Sequence, residues 1–532
     1  MLNEMTGADE DLKPMALRVL ASQLSGKAPR DNKTAAAAVA FLPQLRTIIE
    51  SSNDQALTHA AIQCIDRITE AYGRKNVDQI VEIAAFLAEE ETTTRMSEQL
   101  SIATLLCLAS LLDVIKEGAV PIVIVTLERA LAALTGSDIQ NTHPEVYHAA
   151  CAVISALLSH VSYMVEEDAV QRVLAAVIGN KVVLKHTSAR EARKDTLDLV
   201  ARRVDVEISI ACLKILWQDA VHDDPRVESY LSVFSTAVNH HPKASIMRSA
   251  DFVSSFILEV LDTQPTPFIA SSTNATTLSF VYKLNDTTFR PIFSSWMDWA
   301  ATPARQLSLF SLLTHFFSTL KSIVTSYASY TLLLANSVLE LFTTTSPPVI
   351  GTDSQTLYTN VMTALIAMLE HDADAFFANP SHFQPLATNL LAQLPLFSYN
   401  MLRKQGFSHT IPTVVALASA VQDTPSHLLF INHALCQLRH HESSHVRLAS
   451  ISTHVALTES EEVGDEWIAT VVQGAHNGEA ATEAGSRGNG GSGETMIYVS
   501  EMLEDDDEEV ERLVRKWVRN VRERVGEEVF ET

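Results

Sequence analysis

Five consecutive residues in the last fifth of the sequence, His441-Glu442-Ser443-Ser444-His445, match the pattern H-E-x-x-H. In zinc proteases this spacing places two histidines one helical turn apart, where they bind the metal while the glutamate serves as general base. Here the string lies between two expected helices, and its two serines favour a turn. We interpret it as a solvated corner, and a zinc hydrolase with Glu461 or Glu462 as third ligand is the minor alternative.

Three glycines, Gly488, Gly490 and Gly493, match the dinucleotide-binding pattern G-x-G-x-x-G. That pattern needs a preceding strand, and the surrounding composition is low-complexity, so we do not interpret it as a cofactor site. No P-loop or triad spacing occurs among the plentiful serines, histidines and acids. The sequence therefore predicts no catalytic residues, metal, cofactor or small-molecule substrate, and we expect the protein not to be an enzyme.

The overall charge limits the classes of partner. The 532 residues carry a formal net charge of -25, which argues against coating of nucleic acid over the whole surface but allows local basic patches. The five cysteines are far apart and fit no zinc or disulfide spacing, so we expect buried thiols in a reducing compartment. The acidic N-terminus is unlike a signal peptide, and we expect no membrane-spanning helix.

One basic segment stands out in this acidic chain, between residues 181 and 203. Its candidate contacts for RNA or a protein partner are Lys181, Lys185, Arg190, Arg193, Lys194, Arg202 and Arg203. The alternative interpretation is a solvated helix face whose cations pair with Glu191, Asp195 and Asp198.

The elements that must position these residues are helices. Glycine and proline are scarce outside residues 478–493, and apolar residues recur at three- and four-residue spacings. Comparable helices are expected to start near residues 55, 97 and 144, an interval of a little over forty residues that is typical of HEAT or armadillo repeats. The sequence thus predicts an all-α fold, an α-solenoid of HEAT/armadillo-like antiparallel helix pairs. Thr34 is expected to be an N-cap, and residues 263–277 and 343–352 are expected to be loops.

The most distinctive stretch runs from Phe280 to Ala300. Asn285 and Asp286 can cap a helix through their side-chain oxygens, and Pro291 suggests a bend or a later helix start. Aromatic and aliphatic residues at helical spacing form one apolar face beside the charged Arg290. The members of that face are Phe289, Ile292, Phe293, Trp296 and Trp299.

This stretch, with L-K-S-I-V-T-S-Y at residues 320–327, resembles the family of U3 small nucleolar RNA-associated protein 10 and HEAT repeat-containing protein 1. Further resemblance lies in I-N-x-x-L-x-x-L-R, H-V-R-L-A-S and G-D-E-W-I between residues 430 and 467, and in the acidic tail. Asn285, Phe289, Arg290, Pro291 and Trp299 match the signature as structural residues. Members of that family are far longer, so the chain looks like their C-terminal portion.

The resemblance implies a nucleolar scaffold of the small-subunit processome, needed for processing of pre-ribosomal RNA towards 18S RNA and linked to its transcription. The implied partners are other processome proteins, the U3 small nucleolar ribonucleoprotein and pre-ribosomal RNA, with no membrane. The main alternative is a solenoid of another class, a nuclear-transport receptor or vesicle-coat adaptor.

We expect five regions along the chain. These are degenerate repeats over 1–262, the signature region over 263–345, further repeats over 346–473, a flexible glycine-rich linker over 474–494 and an acidic terminal helix or cap over 495–532.

Overall fold

Helices form all the regular secondary structure in the part of the chain that this computed structural model describes. The described residues are 13–25, 32–89, 97–135, 143–180, 186–220, 224–263, 266–321, 324–344, 352–372, 375–398, 403–404, 406–473 and 491–525. They divide into two compact units, the first comprising Met1–Ile257 and Ala275–Leu284, the second Leu258–Asn274 and Asn285–Thr532.

The first unit contains two layers of helices that alternate along the chain. Its helices are α1 (Lys13–Ser25), α2 (Asn32–Ala40), α3 (Leu42–Ser51), α4 (Gln55–Tyr72), α5 (Val77–Ala88), α6 (Glu98–Ile115), α7 (Val123–Thr135), α8 (Pro144–Val161), α9 (Glu167–Gly179), α10 (Thr187–Arg203), α11 (Val206–Ala220), α12 (Asp224–His240) and α13 (Lys243–Arg248). In one layer α1, α4, α6, α8, α10 and α12 pack in succession, and in the other α3, α5, α7, α9 and α11 do so. Two further helices, α14 (Ala250–Asp262) and α15 (Pro267–Tyr282), run across the division between the units.

The second unit repeats the two-layer plan. Its helices are α16 (Asp286–Trp299), α17 (Pro303–Thr319), α18 (Val324–Thr344), α19 (Thr352–Leu369), α20 (Pro380–Leu391), α21 (Ile411–Ala420), α22 (Pro425–Gln437), α23 (Ser444–Glu459), α24 (Gly464–Ile468), α25 (Gly491–Met502) and α26 (Glu508–Val525). One layer is the succession α17, α19, α21, α23 and α26, and the other is α16, α18, α20, α22 and α25. The predicted class, a solenoid of antiparallel helix pairs, is confirmed in each unit.

The repeat length is visible in hydrogen bonds that join one helix pair to the next. Four side chains donate to a backbone carbonyl 45 positions earlier: Cys107 to Ile62, Thr196 to Cys151, Cys212 to Glu167, and Lys283 to Val238. The helices α4, α6, α8 and α10 begin at intervals of 43, 46 and 43 residues. A two-helix unit buries one face against each neighbour, so these bonds mark the contacts through which the core continues.

The expected loop over residues 263–277 is wrong, because α15 occupies most of it. Thr273, Thr276 and Thr277 are buried, and the hydroxyl of Thr273 donates to the carbonyl of Ile269 at 2.7 Å. This bond to the preceding helical turn satisfies the hydroxyl inside the core. A segment rich in Ser and Thr can therefore remain helical.

Other boundaries also differ from expectation. Thr34 lies inside α2 and is not its N-cap. Helix α25 begins at Gly491, so residues 491–494 are helical, whereas 474–490 of the expected linker lie outside the described residues.

Among the helices that the structure describes, one, residues 144–164, is long and apolar enough to cross a membrane by composition, contrary to the expectation of none. It packs between α6 and α10, with Tyr147, Val153 and Ile154 fully buried, as in the core helix of a stacked array.

All five cysteines are buried and free, as predicted.

Candidate functional site

The corner that opens α16 is organised by Asn285. Its extended backbone ends the preceding turn, and its side-chain oxygen accepts a hydrogen bond from the backbone N–H of Thr288 at 2.9 Å. The predicted N-cap at Asn285 is therefore confirmed. Asp286 has another role: its carboxylate accepts from Arg290 at 2.8 Å and from the hydroxyl of Tyr327 at 2.7 Å.

Behind this corner lies a cluster of aromatic rings. Phe289 lies 5.0 Å from Tyr327 and 5.7 Å from Phe316, measured between ring centroids, and Phe293 lies 4.8 Å from Tyr327. These rings and Trp296 are almost fully buried. The apolar face is thus a packing surface between α16, α17 and α18, where aromatic pairs add stabilisation beyond their buried area.

The remaining signature residues lie at the surface of the same helix. Pro291 is exposed in the interior of α16, which continues past it, so a later helix start is excluded. Trp299 is half-buried under the guanidinium of Arg305, 5.3 Å from its ring centroid. Arg305 also binds both carboxylate oxygens of Asp262, at 2.7 and 3.0 Å. These contacts hold the end of α16 and the start of α17 in place.

Lys283, just before the corner, was not singled out in the sequence. Its ammonium group donates to the carbonyls of Val238, Asn239 and His241 at 2.7, 2.7 and 2.6 Å. It thereby binds carbonyls at the C-terminal end of α12, where a cation also compensates the helix dipole. The sequence feature that could have identified Lys283 is its position as the first residue of the string K-L-N-D.

The basic segment is divided by the fold. Lys181 and Lys185 lie outside the described residues, and α10 carries the rest. Arg193 is 8% exposed and donates to the carbonyl of Ile178 at 3.3 Å and the hydroxyl of Ser229 at 2.6 Å. As a buried packing residue, Arg193 cannot present its charge to a partner, which corrects its inclusion in the set.

The other cations of α10 differ in their surroundings. Arg202 forms an ion pair with Asp198 at 2.9 Å, whereas Arg190, Lys194 and Arg203 are exposed. Arg190 and Lys194 line a groove of about 440 Å³ between α10 and α12, together with the acids Asp198 and Glu228. Because its charges are mixed, this groove is not a strong anion site.

The H-E-x-x-H string forms a turn. His441 follows the short 3-10 turn Leu438–His440, and α23 begins at Ser444, so the two histidines do not share one helical face. The backbone carbonyl of His441 accepts from Arg447 at 2.9 Å. No group of three or more potential metal ligands occurs in the ranges that the structure describes, which argues against the zinc alternative there.

Arg447 ties the terminal helix pair to the preceding one. It donates to both carboxylate oxygens of Asp505, at 2.7 and 2.9 Å, and also binds Asp506. The side chain of Asp505 is almost completely buried. Burial raises the pKa of this carboxyl, but hydrogen bonds from Arg447 and from the backbone N–H of Asp507, together with the charge of Arg447, hold the pKa below its usual value.

Near this ion pair, His454 is enclosed by three aromatic rings. Tyr498, Trp467 and Trp517 lie 4.9, 5.8 and 6.3 Å from its ring centroid. Complete burial lowers the pKa of His454 to about 3, so its ring is neutral. Neither ring nitrogen has a hydrogen-bond partner.

A cleft of about 770 Å³ lies in the second unit. It is lined mainly by apolar and small polar residues of α15, α17 and α19, among them Ala270, Asn274, Leu307 and Ser311, and its one carboxylate is Asp353. Such a lining can accommodate a protein segment but holds no catalytic set.

The sequence matches a known domain over this region: residues 245–377 match the BP28CT (NUC211) domain. U3 small nucleolar RNA-associated protein 10 of Neurospora crassa is 32% identical over 539 residues, covering 97% of this chain and 28% of that protein. The protein of the same name from Aspergillus niger is also 32% identical, over 98% of this chain and 29% of its own length. The chain thus spans less than a third of these curated relatives.

Among solved structures, karyopherin Kap121p bound to Nup53p gives a TM-score of 0.44 at 12% identity, over 98% of this chain and 52% of that one. Kap95p bound to RanGDP gives 0.35 at 12% identity, over 97% and 64%. Neither likeness supports a functional inference.

Proposed function

Because the chain is homologous over nearly its whole length to part of U3 small nucleolar RNA-associated protein 10, we propose that it is a non-enzymatic scaffold segment of the nucleolar small-subunit processome. In this role it supports processing of pre-ribosomal RNA towards 18S RNA. The homology is the observation that carries the proposal.

The geometry agrees with a scaffold. Each unit is a stack of helix pairs whose polar clusters, such as Asp286 with Tyr327 and Arg447 with Asp505, hold helices together. Such stacks present extended surfaces on which many shallow contacts add up. The partners we propose are other processome proteins, with the U3 ribonucleoprotein and pre-ribosomal RNA bound directly or through them.

Contact with RNA through the basic segment stays a prediction. Because Arg193 is buried, the remaining candidates for RNA contact among the described residues are Arg190, Lys194, Arg202 and Arg203. Of these, Arg202 is already paired with Asp198. Protein contacts are therefore proposed as the main scaffold function.

The test is depletion of the protein followed by pulse-labelling of ribosomal RNA. We expect 18S RNA and its precursors to fall while large-subunit RNA is less affected, and expression of the intact protein to restore them. Run-on labelling of nascent transcripts in the same cells measures the proposed link to transcription. Unchanged 18S maturation, in cells without another copy of the protein, would contradict the scaffold role.

The transport-receptor or coat-adaptor alternative predicts a different phenotype. Depletion would then impair nuclear import of a reporter cargo or vesicle traffic before it changed the ratio of 18S to large-subunit RNA. The two functions are distinguished by which defect appears first after depletion: impaired import or vesicle traffic, or a changed ratio of 18S to large-subunit RNA.

A further inference from the structure

Three helices of the first unit end at one edge, each with an exposed side chain suited to nucleic acid. Arg203, His240 and Tyr282 are the final residues of α10, α12 and α15. All three are exposed, and Tyr282 retains 64% of its accessible surface. One cation and two flat rings therefore occupy equivalent positions in successive helices.

Hydrogen bonds show that these ends are adjacent. The ring of His241, in the turn after α12, donates to the carbonyl of Ala201 in α10 at 3.0 Å. Lys283, in the turn after α15, donates to the carbonyls of Val238 and His241. Since α10 and α12 pack against each other, their ends are about 8–10 Å apart, and the bonds of Lys283 place the end of α15 beside that of α12. We call these three helix ends, with Lys243 at the start of α13, the turn edge.

The turn edge has uncompensated positive charge. Arg203 and Lys243 are exposed, and neither forms an ion pair with any residue that the structure describes. Two nearby acids are already neutralised: Asp198 pairs with Arg202 at 2.9 Å, and Asp205 pairs with Arg248 at 2.8 Å. The local excess is notable in a chain of net charge -25.

Helix stabilisation explains only part of this pattern. A cation at the last residue of a helix, such as Arg203, compensates the dipole, and Lys283 does so for α12. Lys243 is the first residue of α13, where the dipole disfavours a cation. Its charge, left free in solvent, is therefore available to an external anion.

We propose that the turn edge binds single-stranded RNA, with phosphates on Arg203 and Lys243 and a base stacked on Tyr282. Cations along a row combined with an exposed ring are the two components of single-strand recognition. An acidic protein segment would pair with the cations but would not use the flat ring. This site rests on the proposed processome function for its biological source of RNA, although its chemistry is independent of that role.

The first test measures the charge contacts. A fluorescein-labelled uridine 20-mer is titrated with the 532-residue chain by fluorescence anisotropy at salt concentrations between 50 and 200 mM. The double variant R203A/K243A should weaken binding about tenfold and reduce the salt slope by about 1.4, the value for two phosphate contacts on a single strand. The matched control R18A/K33A removes the same two charges from exposed positions of α1 and α2, and should change affinity less than about twofold.

The second test measures stacking. Y282A should weaken binding about fivefold or more while leaving the salt slope unchanged, because a stacked base releases no counterions. F268A is the control, since Phe268 is an exposed ring, 58% accessible, at the opposite end of α15 from Tyr282. It should bind the 20-mer like the unaltered chain.

Circular dichroism of each variant verifies folding, which these exposed substitutions should not alter. Equal losses in the two double variants, or unchanged affinity in R203A/K243A, would overturn the site. Tighter binding of polyglutamate than of the 20-mer at equal salt would also overturn it and indicate a protein partner. These outcomes do not depend on rRNA maturation after depletion, so failure of the site and failure of the proposed function are separate results.

Discussion

The hydroxyl of Tyr327 donates a hydrogen bond of 2.7 Å to the carboxylate of Asp286, 41 positions earlier in the chain. The bond joins the first turn of α16 to α18. Asp286 lies in the first of the two strings that resemble the family, and Tyr327 lies in the second. The polar corner at Asp286 and this later tyrosine therefore contact each other directly.

Replacing Tyr327 with phenylalanine should change the pH dependence of stability. The bond from Tyr327, and secondarily the pairing with Arg290, lowers the pKa of Asp286 below its ordinary value. A depressed pKa stabilises the fold above about pH 4 and loses that effect as pH falls through the folded-state value. Y327F should thus be less stable than the unaltered chain at pH 7, with the difference shrinking below pH 4.

Urea unfolding followed by tryptophan fluorescence between pH 7 and pH 3 measures this difference. Y330F is the control, since Tyr330 contacts Phe293 through its ring only. A stability gap for Y327F that stays constant across the range would show that the hydroxyl does not act through Asp286.

Truncation of a ring in the aromatic cluster should be costly. Phe293 is fully buried against Tyr327 and Phe316, so F293A should reduce the free energy of unfolding by about 3–5 kcal/mol. F268A removes the same atoms from a side chain that is 58% exposed, and should cost less than about 1 kcal/mol. Equal urea midpoints for the two variants would mean that the cluster adds no packing energy.

Loss of Arg447 should loosen the terminal helix. R447A leaves the buried carboxylate of Asp505 without its guanidinium, at a cost on the order of 3 kcal/mol. Hydrogen exchange in α26, Glu508–Val525, should accelerate before exchange in α23 does. R512A, which alters an exposed pair with Glu509, should leave exchange near its original rate, and protection retained in R447A would contradict the assigned role.

Substitution of His454 should remove an acid sensitivity. Burial lowers the pKa of this ring to about 3, whereas an unfolded histidine titrates near 6.5. Between these values the unfolded chain binds the additional proton, so stability falls as pH drops, by at most about 1.4 kcal/mol per pH unit. H454L should flatten this part of the unfolding profile, because leucine cannot titrate.

H454L should also fold at neutral pH at least as well as the unaltered chain, since it deletes two buried nitrogens that lack partners. H148L, at an exposed histidine, should keep the original slope. If H454L and the unaltered chain lose stability in parallel below pH 6.5, the ring is not neutral in the fold.

Helix positions were the most predictable feature. The expected helix starts near residues 55 and 144 coincide with those of α4 and α8, because each helix has a continuous apolar face and a clear polar or proline start. Segment 263–277 was mistaken for a loop because Ser and Thr favour turns in general. Whether their hydroxyls instead bond the preceding turn, as Thr273 does, depends on burial by neighbouring helices.

The candidate site was predictable only where its contacts are local. The cap at Asn285 acts three residues away and is predicted, whereas the bond of Asp286 with Tyr327 and that of Lys283 with Val238 span 41 and 45 positions. Arg193 looked like its charged neighbours in sequence, and only the packing of α10 against α12 places it inside. Such contacts depend on the register in which one repeat packs against the next. The periodicity of a single sequence does not specify that register.

The bonds that span 45 positions also affect how the first unit would respond to mechanical force. Tension along its stack would pass through one interface after another, since such bonds join α4 to α6, α8 to α10, and α12 to the turn after α15. The interfaces would then act as springs in series: each can yield by a small amount, and the weakest opens first while the others remain closed. Such a unit can lengthen and recover stepwise.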